Sequence, residues 1–175
     1  MITSLEGRAR RVGDDINADY LITSMRKRDT LDESVLARYL LETIDPAFAA
    51  SVRPGDLLVA GRNFGCGSAM EVAATVILGA GIKAVIARSF ARSFYRNAVN
   101  NGLVPIECDT SLIAEGDQLS VTVSAEGATV ENRSRGEALT ALPMPAIMLD
   151  ILGAGGLVPY IRAHAGFQLQ GKQNQ

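Results

Sequence analysis

The chain has 175 residues, 47% of them hydrophobic, which is enough to bury one sizeable core and short for two domains. A formal net charge of -2 and a pI near 5.4 exclude a general attraction to nucleic acid or an anionic membrane, so any basic site must be local. Two cysteines, Cys66 and Cys108, widely spaced and outside a Cys-x-x-Cys pattern, leave no readable zinc site or disulfide framework and fit a reducing cytoplasm. The opening residues Met1 to Gly7 lack the basic and apolar regions of a signal peptide, and no apolar run reaches membrane-spanning length. A cytoplasmic protein is expected.

In chain order, Gly7 to Val12 reads as a short strand ending in the acidic turn Gly13-Asp14-Asp15-Ile16-Asn17-Ala18-Asp19. Tyr20 to Thr30 reads as a loop. Leu31, Val35, Leu36, Tyr39, Leu40 and Ile44 recur at helical spacing and predict an amphipathic helix before Pro46. Arg53-Pro54-Gly55-Asp56 is a turn, and the apolar run Leu57 to Ala60 suits a buried strand. A glycine loop follows, then a helix predicted over Ser68 to Leu78 and a second buried strand over Ala84 to Ala87, which together make a β-loop-α-β unit.

Phe90 to Asn101 is a further predicted helix, with Arg88, Arg92 and Arg96 at four-residue steps on one face. Such a basic stripe is usually a solvated face or a partner contact. Leu103 to Cys108 reads as a strand, Gln118 to Ser124 and Ala128 to Asn132 as a hairpin, and Ala146 to Leu152 as a helix separated by Gly155-Gly156 from another. Residues 1–167 are expected to form a single domain, with a frayed tail over 168–175. The lone histidine, His164, is read as structural or exposed.

The stretch Gly61-Arg62-Asn63-Phe64-Gly65-Cys66-Gly67-Ser68-Ala69-Met70-Glu71 joins a buried strand to a helix. At such a junction unpaired amides at the positive end of the helix dipole can hold a carboxylate or phosphate, and glycine lets the anion come close. The same spacing also makes Ser68 and Glu71 a capping box, the commoner use of such a pair. A P-loop ending and a Gly-x-Gly-x-x-Gly fingerprint are both missing, which disfavours nucleotides.

Asn63-Phe64-Gly65-Cys66-Gly67-Ser68 closely resembles the Asn-Phe-Gly-Cys-Gly-Ser-Ser-Arg-Glu-His motif of 3-isopropylmalate dehydratase small subunits, which are equivalent to the swivelling domain of aconitase. The resemblance extends to the segment Gly13 to Asp19, to Pro54-Gly55-Asp56, to Ala84 through Arg92 with Arg96-Asn97 and Asn101-Gly102-Leu103, and to Gly155-Gly156-Leu157. It implies an α/β fold of the swivelling β/β/α type. It also implies a cytoplasmic hydro-lyase of leucine biosynthesis that dehydrates and rehydrates a small hydroxy-carboxylic acid. A large subunit would carry the iron-sulfur cluster, since this chain has too few cysteines to hold one. On this resemblance Ser68 is the catalytic base, Gly67, Ala69 and Met70 lie at the substrate, and Asn63, Gly65 and Cys66 shape the loop. No metal ligand is assigned to the chain itself.

After Ser68 the sequence departs, with Ala69-Met70-Glu71-Val72 where the family has Ser-Arg-Glu-His. Met70 cannot make the bidentate carboxylate contact that the family arginine makes. The run Arg26-Lys27-Arg28, in the loop that sets substrate class in the family, is a candidate replacement and suits a substrate more polar than isopropylmalate. A solvated charge cluster explains the same run equally well. The alternative function is a degenerate small subunit that binds or regulates a large subunit without acid-base chemistry.

Overall fold

The computed structural model describes residues 3–124 and 127–164, so the tail over 168–175 lies outside the described residues. Strand β1 (Thr3–Arg11) belongs to both halves of the sheet. Its Ala9–Arg11 end pairs in parallel with β2 (Leu57–Ala60), while Thr3–Arg8 pairs antiparallel with β5 (Gln118–Ser124). Beyond β2 lie β3 (Ala84–Ala87) and β4 (Val104–Glu107), both parallel; beyond β5 lie β6 (Gly127–Asn132) and β7 (Glu137–Thr140), both antiparallel. Among the described residues the sheet order is β4-β3-β2-β1-β5-β6-β7.

The parallel half is buried on both faces, so β2 and β3 are continuous apolar runs with every residue buried. Alternate residues feed opposite cores. Leu58, Ala60, Val85 and Ala87 face the helices, together with Leu21, Leu36, Leu40, Phe64 and Ile77. Leu57, Val59, Ala84 and Ile86 face Leu119, Val121 and Val130 of the antiparallel half, so the curled sheet closes a second core on itself. Helices, parallel sheet and antiparallel sheet are the layers of the expected β/β/α fold.

The helical layer differs from expectation where loops were read. The segment from Tyr20 to Thr30 holds the end of a short helix that starts in the acidic turn, α1 (Ala18–Leu21), and all of a second, α2 (Ser24–Asp29). The helix expected over Leu31 to Ile44 is broken into α3 (Glu33–Leu36), a 3-10 turn at Ala37–Tyr39 and a bend in which Leu41 takes φ 61°. Of the residues in that periodicity Leu36 and Leu40 are buried, but Leu31 and Ile44 are exposed, and the chain turns to bury Leu41, which the pattern did not include. A further short helix, α4 (Phe48–Ser51), leads into the turn before β2.

Helix α5 (Val72–Gly79) begins four residues later than predicted, and Ala73 through Ile77 are buried because it lies between the sheet and α1 and α3. Helix α6 (Arg92–Asn100) starts two residues late, because Ala91 donates its amide to the Phe64 carbonyl at 2.9 Å and stays extended. Arg88 therefore lies outside the helix, 3.8 Å from Asp109. Strand β7 was not expected. After α7 (Ala146–Gly153), Gly155 and Gly156 turn the chain at positive φ into α8 (Leu157–His164), where His164 stacks on Tyr160. Among the described residues no single helix is long and apolar enough to cross a membrane.

Candidate functional site

Past the end of β2, residues 61–66 run between two rails of chain. On one side Gly61 donates to the Gly13 carbonyl, Arg62 donates its amide to Asp14 at 2.8 Å, Gly65 donates to the Ile16 carbonyl at 2.8 Å, and Ala18 donates to the Cys66 carbonyl at 2.8 Å. On the other, Asn63 and Phe64 donate their amides to the hydroxyl and carbonyl of Ser89 at 2.8 and 3.0 Å. Asn63, at φ 56°, also donates its side-chain amide to Asp15 at 2.9 Å. Beneath them Phe64 is fully buried, edge-on to Phe94 and Phe90 at centroid distances of 5.0 and 6.1 Å.

The two inner glycines serve this packing. Gly65 has φ 77°, and a Cβ there would enter the Phe94 ring; Gly67 has φ 84°, and its Cβ would fall 2.5 Å from the Asn17 side chain. Their missing side chains point at the protein's own α6 and α1, so they do not open space for an anion as the sequence suggested. Cys66 is half-buried, with its thiol 3.5 Å from the Asp15 carbonyl.

At Gly67 the rails end. Gly67, Ser68, Ala69 and Glu71 are exposed, and the amides of residues 67–72 donate no hydrogen bond among the described residues. The Ser68 hydroxyl likewise has no partner there. The expected capping box does not form: Glu71 is the cap residue of α5 and makes no side-chain cap bond, while Ala73 and Ala74 donate to the Met70 and Glu71 carbonyls. Ser68 thus stands ahead of the helix on a bent strip of exposed amides, outside its first turn.

Helix α2 flanks this strip. The Lys27 ammonium touches the Met70 thioether, and among the described residues Lys27 has no carboxylate partner. Met70 is half-buried, its side chain packed on the helical core. Arg26 is engaged elsewhere: it donates Nε and Nη2 to the two carboxylate oxygens of Glu42 at 3.0 Å and lies 3.8 Å over the Tyr39 ring. That hydrogen bond pushes the guanidinium above its ordinary pKa. Arg28 is exposed. Of the three cations predicted at the substrate, the fold brings Lys27 to the loop and ties Arg26 to Glu42.

Residues 17–111 match the Aconitase C-terminal domain family. The 3-isopropylmalate dehydratase small subunit 2 of Archaeoglobus fulgidus is 42% identical over 93% of this chain and 98% of its own length. The isopropylmalate/citramalate isomerase small subunit of Methanocaldococcus jannaschii is 42% identical over 93% of this chain and 96% of its own. A solved structure of 3-isopropylmalate dehydratase from the same archaeon superposes with a TM-score of 0.88 at 40% identity, covering 93% and 96% of the two chains. The chain belongs to the 3-isopropylmalate dehydratase small-subunit family. Membership makes it a hydro-lyase small subunit of the aconitase superfamily.

The residues of this family member do not fit an iron-sulfur cluster. Cys108 is buried in the sheet-on-sheet core, where desolvation, with the Asp109 charge beside it, pushes its thiol up to about 11 and opposes the thiolate a cluster needs. Cys66 sits on the glycine loop, and among the described residues no three His, Cys, Asp or Glu side chains converge on a metal position.

Sequence reasoning missed Asp14 and Asp15 as braces of the loop, and Tyr39 and Glu42 as partners of Arg26. The three-residue spacing of Tyr39 and Glu42 was visible, but nothing in the sequence said which cation they would meet.

Proposed function

We propose that this chain is the small subunit of a two-subunit dehydratase, acting with an aconitase-like large subunit on a hydroxy di- or tricarboxylic acid more polar than isopropylmalate. One observation carries the reading: Ser68 lies on an exposed strip whose amides donate no hydrogen bond among the described residues, and Lys27, a cation without a carboxylate partner among them, touches Met70 two residues further along that strip. Such amides stabilise negative charge at a substrate carboxylate or at a serine oxygen. Lys27 reaches the side chain of residue 70, where the family carries arginine, so it resupplies the positive charge that Met70 lacks. Exposed Arg28, next to the Asp29 end of the helix, adds cationic character to the same element.

In this reading Ser68 takes the proton from the carbon beside a carboxylate, Lys27 and the strip amides orient that carboxylate, and Met70 seals the core side against water. A serine hydroxyl is a weak base, so the proton transfer depends on the amides stabilising its oxygen. The iron-sulfur cluster belongs to the large subunit and supplies Lewis-acid chemistry for the departing hydroxide. The cytoplasm is the compartment proposed for the pair.

The test is reconstitution with the cognate large subunit. Ser68→Ala is expected to abolish turnover while leaving assembly intact, and Lys27→Met to raise KM about tenfold or more, the scale of one lost charge-assisted contact. Turnover surviving Ser68→Ala would refute the assignment. The exposed Ser68 hydroxyl, without a partner among the described residues and beside Ala69 and Met70, also favours a second reading, a binding or regulatory subunit without acid-base chemistry; assembly without turnover against any hydroxy acid of a panel would select it.

A further inference from the structure

Helix α2 is the least supported element beside the site. Six residues are too few to hold a helix unaided, and none of these six is buried. Its Thr23 cap is long, 3.5 Å from hydroxyl to the Arg26 amide. One side chain does more. Arg26 grips both carboxylate oxygens of Glu42 at 3.0 Å while its guanidinium lies 3.8 Å over the Tyr39 ring. Tyr39 and Glu42 bracket Leu40 and Leu41, both fully buried, and Leu41 donates its amide to the Leu21 carbonyl of α1 at 3.2 Å. The clamp therefore joins a helix that buries nothing to the main core. A planar fork held edge-on by a carboxylate and face-on by a ring has one orientation, which a flexible ammonium would not have.

We infer that Glu42 and Tyr39 are positioning residues: acting through Arg26, they hold α2 against the glycine loop and so fix where Lys27 stands. This rests on the assignment of Lys27 to carboxylate binding, but neither residue touches a reacting atom. Arg26 itself changes role, from the substrate contact expected of it to the pin of the helix that carries one. The clamp also separates two properties of the site, because it can be weakened without altering Ser68 or the loop.

In the assembled enzyme Glu42→Gln and Tyr39→Leu are expected to raise KM about tenfold with kcat within about twofold, the effect of losing one arm of a charge-assisted pair. The exchanged pair Arg26→Glu with Glu42→Arg restores KM toward the starting value, which neither single change does. In the full chain without its partner, amide hydrogen exchange over residues 24–30 rises about tenfold in Glu42→Gln while β2 and β3 stay protected, showing an intact fold. Unchanged exchange overturns the clamp; faster exchange with unchanged KM overturns positioning. Lys27→Met leaving KM unaltered would refute the carboxylate assignment alone, since the exchange result is independent of it.

Discussion

The glycine loop and helix α2 meet at Met70 and Lys27, yet they are built in opposite ways. The loop is bound to chain on both sides and rests on a fully buried Phe64. Helix α2 buries none of its residues and is held by a partly exposed ion pair and a ring face. The position of the loop as far as Cys66 is therefore a property of the core, whereas the position of Lys27 is a property of a few surface contacts.

Unequal sensitivity is the direct consequence. Phe64→Ala is expected to cost about 3–5 kcal/mol, the range for removing a buried aromatic ring, by urea denaturation of the full chain. Arg28→Ala, on the exposed side of α2, is expected to change stability by no more than about 0.5 kcal/mol. Similar costs for the two would abolish the distinction.

The next largest effect lies at the other end of β2 from the loop. Asp56, 4% exposed at its side chain, pairs with Arg8 at 2.7 Å and Arg10 at 3.6 Å, and Arg10 pairs with Glu115 at 2.8 Å. Burial alone would raise the Asp56 pKa, but hydrogen bonds from Arg8 and the Arg53 amide, with the two guanidinium charges, outweigh it and hold the carboxyl below its usual range. Its contribution is then complete above the ordinary carboxyl value of about 4 and is lost as pH falls through the depressed folded value. Asp56→Asn is expected to cost about 1–3 kcal/mol at neutral pH, because Arg8 loses its charge-assisted partner while Arg10 keeps Glu115. The variant should lose less stability than the parent between pH 4 and acid, by about the same amount. Parallel pH profiles would contradict this. The partly exposed Arg26–Glu42 pair is expected to contribute little to global stability, so its removal shows in α2 and in KM first.

The smallest effect is chemical. At pH 8 a thiol with a pKa of about 11 is only about one part in a thousand thiolate, so Cys108 should resist a disulfide reagent until the chain unfolds, while half-buried Cys66 is labelled in the folded protein. Equal labelling of both would show that the sheet-on-sheet core opens as readily as the loop.

The strands of the parallel half were legible because two-sided burial writes an unbroken apolar run, as in Leu57 to Ala60 and Ala84 to Ala87. The loop motif was legible as well, since few sequences place Asn63-Phe64-Gly65-Cys66-Gly67-Ser68 after such a run. The capping box at Ser68 and Glu71 was misread because its spacing is local, while the start of α5 was set by where Met70 and Val72 had to pack. The helix over Leu31 to Ile44 failed for a related reason: a bend at Leu41 buries Leu36, Leu40 and Leu41 together and leaves Leu31 and Ile44 outside.

Residue types by themselves determined which stretches must be buried and which family motif the chain carries. Only the tertiary structure decided which of three adjacent cations meets residue 70, because that depends on Glu42 and Tyr39 capturing Arg26 from a distant segment. It also decided why Gly65 and Gly67 are glycines, since steric contact with Phe94 and Asn17 exists only once α6 and α1 have closed around the loop.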